Sequence, residues 1–248
     1  MKKDQPPFFS GTSGLLTAVP QRDFPPEHSD KSRLAFYALQ LNSIEINSSF
    51  YKLPKPATVA NWTTMVPADF RFTFKLWKEI THQKQLVFNP DAVEKFFEVI
   101  GHVGDKKGCV LMQFPPSVKV DLLPQFEQLL IAVTEINKGW NIAVEFRHPS
   151  WYQETVYELL ISYKAGLVYH DKTGAATPLI EPTSDFVYQR FHGPGGDYKG
   201  SYDDGFLYEY SLYIQEWRQD GKTVFVYFNN TAGDALKNLN LLKRYVDP

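Results

Sequence analysis

Ser43-Ile44-Glu45-Ile46-Asn47 alternates apolar and polar residues at every step. Side chains of an extended chain point to opposite faces in turn, so the isoleucines fall on one face and Glu45 and Asn47 on the other. The pattern recurs along the chain. Phe70, Phe72 and Phe74 oppose Arg71, Thr73 and Lys75; Ile142, Val144 and Phe146 oppose Ala143, Glu145 and Arg147; Tyr188, Arg190 and His192 share a face of a later run. Parallel strands covered on both sides ordinarily read as near-continuous Val, Ile and Leu. Charge on the second face therefore places a polar compartment inside the sheet, with the apolar faces turned to helices.

Eight short segments rich in β-branched and aromatic residues carry this signal: 8–11, 43–47, 70–75, 109–114, 141–146, 166–171, 186–192 and 223–230. Amphipathic helical spacing lies between most of them, as in Val93, Phe96, Phe97 and Ile100, or Leu122, Phe126, Leu129, Leu130 and Val133. Alternating strands and helices imply a parallel sheet with right-handed crossovers. Eight strands in 248 residues favour closure into one (β/α)8 barrel of the TIM type, read as a single domain over residues 1–248. No Gly-x-Gly-x-x-Gly follows the first strand, which weakens an open dinucleotide-binding sheet. Gly193-Pro194-Gly195-Gly196-Asp197-Tyr198-Lys199-Gly200 reads as a surface connection.

A net charge of −2 provides no global basicity to attract nucleic acid or an anionic membrane, although a local cationic pocket remains open. No apolar run has the length of a signal peptide or membrane span, and a cytoplasmic location is expected. The single cysteine, Cys109, lies in the apolar run Cys109-Val110-Leu111-Met112 and reads as a core thiol.

The polar residues fall at the carboxyl ends of the strands, where barrel enzymes assemble their sites. Glu45, Glu145 and Asp171 face the cations Lys75, Arg147 and Arg190, with His82, His148 and His192 near strand ends. A buried ionic network that only fills the barrel is the plain alternative. Retained charge in one core nevertheless argues for a use, because apolar replacement of buried ion pairs is often neutral or stabilising. The arginine forks suit phosphate or carboxylate. Asn47, Tyr51, Gln113, Tyr227 and Asn229 complete the expected binding set, and Glu145, His192 and Glu45 are the acid/base candidates. Tyr51, Trp77, Trp151 and Tyr227 are candidates for an aromatic wall. His28 and His102 read as structural, and Gly11-Thr12-Ser13-Gly14 is not a nucleophile elbow.

The preferred reading is an enzyme of hydrolase type acting on a small phosphorylated or nucleotide-like anion. A non-catalytic small-anion module is one alternative. A metal-dependent phosphodiesterase or endonuclease-like hydrolase is another, although no compact ligand motif is present and nearby cations compete with a metal. No cofactor is expected apart from that divalent-metal alternative, and nucleic acid as a partner stays open.

Gly11-Thr12-Ser13-Gly14, Ile44-Glu45-Ile46-Asn47-Ser48-Ser49-Phe50-Tyr51, Phe74-Lys75 with Ile80-Thr81-His82, Gln113-Phe114-Pro115, Ala143-Val144-Glu145-Phe146-Arg147-His148-Pro149-Ser150-Trp151, Arg190-Phe191-His192-Gly193 and Tyr227-Phe228-Asn229-Asn230 occur in order over nearly the whole chain. Together they resemble the YecE-like family, the domain of unknown function numbered 72. The resemblance implies an irregular barrel with one antiparallel strand; were that strand the eighth, Asn229 and Asn230 would lie away from the pocket. Leu15 stands where the family usually has tryptophan. The resemblance implies no activity.

Overall fold

Each alternating run becomes a strand, and neighbouring strands all run the same way. The computed structural model describes residues 5–248. The strands are β1 (Phe8–Thr12), β2 (Ser43–Ile46), β3 (Arg71–Lys75), β4 (Lys107–Gln113), β5 (Asn141–Glu145), β6 (Gly166–His170), β7 (Phe186–Phe191) and β8 (Thr223–Phe228). The helices are α1 (Arg33–Tyr37), α2 (Ser48–Tyr51), α3 (Pro56–Thr64), α4 (Lys78–Thr81), α5 (Pro90–Ile100), α6 (Leu123–Ile136), α7 (Glu154–Ser162), α8 (Asp204–Gln219) and α9 (Ala235–Val246).

The order β1-β8-β7-β6-β5-β4-β3-β2 is that of an eight-stranded (β/α)8 TIM barrel. Among the described residues every strand pairing is parallel, β8 with both β7 and β1 included, so the antiparallel strand implied by the resemblance is not present. One crossover lacks a helix. Residues 171–185, between β6 and β7, hold Gly174, Pro178 and Pro182, which interrupt every stretch long enough to form one. Threonines satisfy the backbone instead: Thr177 Oγ1 donates to Val168 O at 2.8 Å, and Thr183 Oγ1 accepts from Leu167 N at 2.8 Å.

The alternation sorts the core into two compartments. Ile44, Phe72, Phe74, Val110, Met112, Val144 and Phe146 pack outward against buried helix residues such as Phe96, Phe126, Leu129 and Val133. Phe9, Cys109, Leu111, Ala143, Val168, Phe186, Tyr188, Phe225 and Tyr227 fill the inside. Helix starts are fixed locally: Asn89 accepts from Asp91 N before Pro90 at α5, and Asp203 accepts from Phe206 N at α8.

Closure between β1 and β2 is unusual. Their one backbone bridge pairs Ser13 with Glu45, supported by Gly14 N donating to Glu45 O at 2.8 Å. Side chains take the place of the remaining ladder. The Tyr37 hydroxyl accepts from Thr12 N at 2.8 Å and donates to Ser43 O at 3.0 Å. The Asn42 amide accepts from Ser10 N and donates to Phe8 O, both at 2.8 Å. Gly11 permits the approach, since a Cβ there would lie 2.1 Å from Ser43 O.

Candidate functional site

Arg190, the inward residue near the end of β7, organises the upper barrel. Its guanidinium holds Glu45 of β2 in a fork, with Nε 2.9 Å from Oε2 and Nη2 2.7 Å from Oε1. Nη1 reaches across to Glu145 Oε2 at 2.7 Å. Arg147, just beyond β5, donates Nε to the other Glu145 oxygen. Tyr188 donates its hydroxyl to Glu45. Glu45, Glu145 and Arg190 are all at most 1% exposed, so the expected meeting of these charges inside one hollow is what the structure shows.

This pairing sets the charge states. Burial pushes both carboxyls upward, and the adjoining guanidiniums outweigh it: Arg190 lowers Glu45, while Arg147 and Arg190 hold Glu145 well below the usual carboxylate range. His192 follows from its contacts. Its Nε2 lies 2.9 Å from Arg147 Nη2 and 3.2 Å from Arg190 Nη1, both obligate donors, so Nε2 must accept. Nδ1 then carries the proton and points it at Asp171 Oδ1, 3.2 Å away. Burial first, then the arginine charge, lowers the imidazole against the opposing pull of Asp171 and keeps it neutral. Asp171 is fixed in turn by His192 N at 2.7 Å and by the Tyr202 hydroxyl.

Above this layer opens a cleft of about 650 Å³ lined by the end of β4 and by the segments that follow β3, β4, β5, β6 and β7. Gln113, Arg147, His82 and His148 line it, together with Lys172 and Tyr198. Lys75 stands beside it, donating to Gln113 Oε1 at 2.7 Å with its ammonium 4.2 Å from the centre of the Phe50 ring. Among the described residues no carboxylate lines the cleft. Arg147 uses Nε on Glu145 and Nη2 on His192, and its Nη1 makes no hydrogen bond among the described residues. Burial and the Lys75 charge lower His82 to about 4, so its ring is neutral.

Several expected residues stand elsewhere. Tyr227 is fully buried within the barrel, its hydroxyl 2.6 Å from Ser43 Oγ and 2.8 Å from Thr73 Oγ1; it closes a chain of hydroxyls rather than meeting the cleft. Asn229 and Asn47 lie outside the cleft lining, and the buried Oδ1 of Asn47 has no hydrogen-bond partner among the described residues. Tyr51 is 70% exposed on α2. Trp151 is fully buried with its indole stacked on Phe146, so it packs rather than forming a wall.

Other residues were not anticipated. His170, 2% exposed, shares the inward face of β6 with Val168, the same alternation that revealed Arg190. Its Nε2 donates to Phe146 O at 2.9 Å and its Nδ1 accepts from Lys172 N at 3.2 Å, which ties the end of β5 to the β6–β7 loop. Tyr202, Lys172 and Tyr198 come from loops and had no periodic signal. The 193–200 loop is anchored rather than loose: Tyr198 N donates to His192 O at 2.7 Å, Lys172 donates to Gly196 O, and Thr173 Oγ1 donates to Gly195 O at 2.9 Å.

The carboxylates of Glu45 and Glu145 are committed to guanidiniums, and among the described residues no three His, Cys, Asp or Glu side chains converge as metal ligands. Among them, too, no helix is long and apolar enough to cross a membrane.

Fold and site together define a parallel (β/α)8 barrel with an ion-paired upper core beneath a cationic strand-end cleft. The family profile described as Protein of unknown function DUF72 matches residues 10–248, and the chain belongs to that family. The UPF0759 protein YecE of Escherichia coli K12 is 32% identical over 116 residues, an alignment spanning 47% of this chain and only 42% of that protein. YunF of Bacillus subtilis is 25% identical over 87% of this chain and 86% of its own length. A DUF72 family protein from Thermotoga maritima superposes with a TM-score of 0.76 at 25% identity, covering 98% of this chain and all of that one. One from Enterococcus faecalis does so with a TM-score of 0.78 at 22% identity, over 97% and 96% of the two chains.

Proposed function

We propose that the cleft binds a small anion, phosphate-bearing by preference, and that the protein is an enzyme acting on such a molecule. The supporting observation is the lining: Arg147 with Nη1 unengaged, Lys172 and the Gln113 amide converge there, and among the described residues no carboxylate belongs to it. Glu45 and Glu145 serve as counter-ions that hold the two guanidiniums in fixed orientation. His192 belongs to the same scaffold, because its accepting nitrogen is turned toward both arginines. Proton transfer during turnover then falls to groups on the cleft surface, with His82 and His148 the imidazoles that line it.

Isothermal titration with inorganic phosphate and with a panel of sugar phosphates tests the binding, and the same panel is assayed for turnover. Arg147→Lys keeps the charge and loses the fork, so its affinity should fall about tenfold, equivalent to ~1.4 kcal/mol. Lys172→Ala should cost about threefold at low salt and less at high salt. Absence of phosphate and phosphosugar binding by the unmodified protein would sink the reading.

A further inference from the structure

We infer that Lys75 is an amine nucleophile, placed to form an imine with a phosphorylated aldehyde or ketone held in the cleft. This deepens the anion-binding reading and rests on it. Lys75 is the last residue of β3 and faces inward at the end of the barrel where reacting groups gather. Its environment differs from that of an ordinary lysine. Both buried carboxylates nearby are already committed to arginine, and Lys75 enters no ion pair among the described residues. Its one side-chain hydrogen bond among the described residues goes to a neutral amide oxygen, Gln113 Oε1 at 2.7 Å, which stabilises an ammonium less than a carboxylate would and can still accept from the free amine. The Phe50 ring covers one side at 4.2 Å. Gln113 and His82, its neighbours, both line the cleft, and Lys75 stands directly behind Gln113 at the cleft margin, within one hydrogen bond of the lining.

Burial, followed by the charge of Arg190, lowers the ammonium to about 8 against the opposing pull of Glu145 and Glu45, with Arg147 adding to the lowering. Desolvation beside other cations is a recognised way to activate a lysine. Around pH 7 roughly a tenth of such a group is free amine, about 200-fold more than for a lysine near 10.4. The amine lone pair forms the nitrogen–carbon bond while the carbonyl π pair moves to oxygen, which takes up a proton as nitrogen releases one. A further proton from solvent in the cleft lets that oxygen leave as water, and nitrogen and carbon are left doubly bonded. The step is a condensation and needs no oxidant or reductant.

The test incubates the full chain with dihydroxyacetone phosphate and cyanoborohydride, then maps labelled peptides by mass spectrometry. Phosphate binding is titrated in parallel. Lys75 should be labelled at least tenfold faster than exposed Lys52 and Lys55, with a rate that rises through about pH 8. Unphosphorylated dihydroxyacetone should label it far less, and inorganic phosphate should compete. Lys75→Arg should lose the fast site while still binding phosphate. Intact phosphate binding with Lys75 labelled no faster than Lys52 overturns the inference and leaves anion binding standing. Absence of phosphate binding removes both.

Discussion

Replacing Arg190 by methionine is the most direct test of the ion-paired core. The substitution roughly conserves volume and deletes the bonds at 2.7 and 2.9 Å that neutralise Glu45, together with the 2.7 Å bond to Glu145. Glu145 keeps Arg147, whereas Glu45 keeps only neutral partners, chiefly the Tyr188 hydroxyl. Stripping one partner from a buried pair costs about 3–5 kcal/mol. For a chain of this length that corresponds to roughly 6–20 °C in the melting midpoint.

The pH dependence gives the sharper signature. In the unmodified protein both carboxyls are held below their unfolded value, so their contribution is complete above it and disappears as pH falls through the folded value. In Arg190→Met, burial acts on Glu45 without its opposing charge, so its folded value rises above the unfolded one. The charged form then destabilises at neutral pH, and acidification relieves the penalty. Urea unfolding followed by fluorescence of the 5 tryptophans, at about pH 7.5 and about pH 5, reads both effects. The deficit should be full at the higher pH and should shrink at the lower. A deficit under about 1 kcal/mol, or one that does not change with pH, would refute the claim that Arg190 alone neutralises Glu45.

The seam and the loop anchor give further expectations. Gly11→Ala places a methyl 2.1 Å from Ser43 O and should cost about 3 kcal/mol or more, because the neighbouring atom is backbone; near-normal thermal stability would contradict the geometry. Tyr37→Phe removes one hydroxyl from two strands and should cost about 2 kcal/mol, with faster hydrogen exchange at the Thr12 amide. Tyr202→Phe unties Asp171 and the Gly193 amide and should cost about 1–3 kcal/mol in a urea titration.

Period-two alternation carried most of the site. Glu45, Thr73, Lys75, Glu145, Arg147, Arg190 and His192 each stand on the face their strand predicts, because orientation follows from position in the pleat alone. Depth along the barrel does not follow from it. Tyr227 shares the inward face, yet its register opposite Arg190 and Gly11 sets it a layer down, among Ser43 and Thr73. Register depends on strand stagger, which one strand's sequence does not contain. His170 stands two positions from Val168 on the same inward face, so the same alternation carries it. Lys172, Tyr198 and Tyr202 reach the site from irregular loops, where no periodicity links residue to direction. The helix-free β6–β7 crossover belongs to the same category.

A fully laddered barrel has no strand margins. Here β1 and β2 meet mainly through a phenol and a carboxamide, so the cylinder has one joint made of side chains. Detaching those two groups would leave only the Ser13–Glu45 bridge and its Gly14 hydrogen bond to hold the seam, with most of two strand borders unpaired and able to recruit a foreign strand. Damage to Tyr37 or Asn42 is therefore expected to appear first as aggregation on heating, read by light scattering.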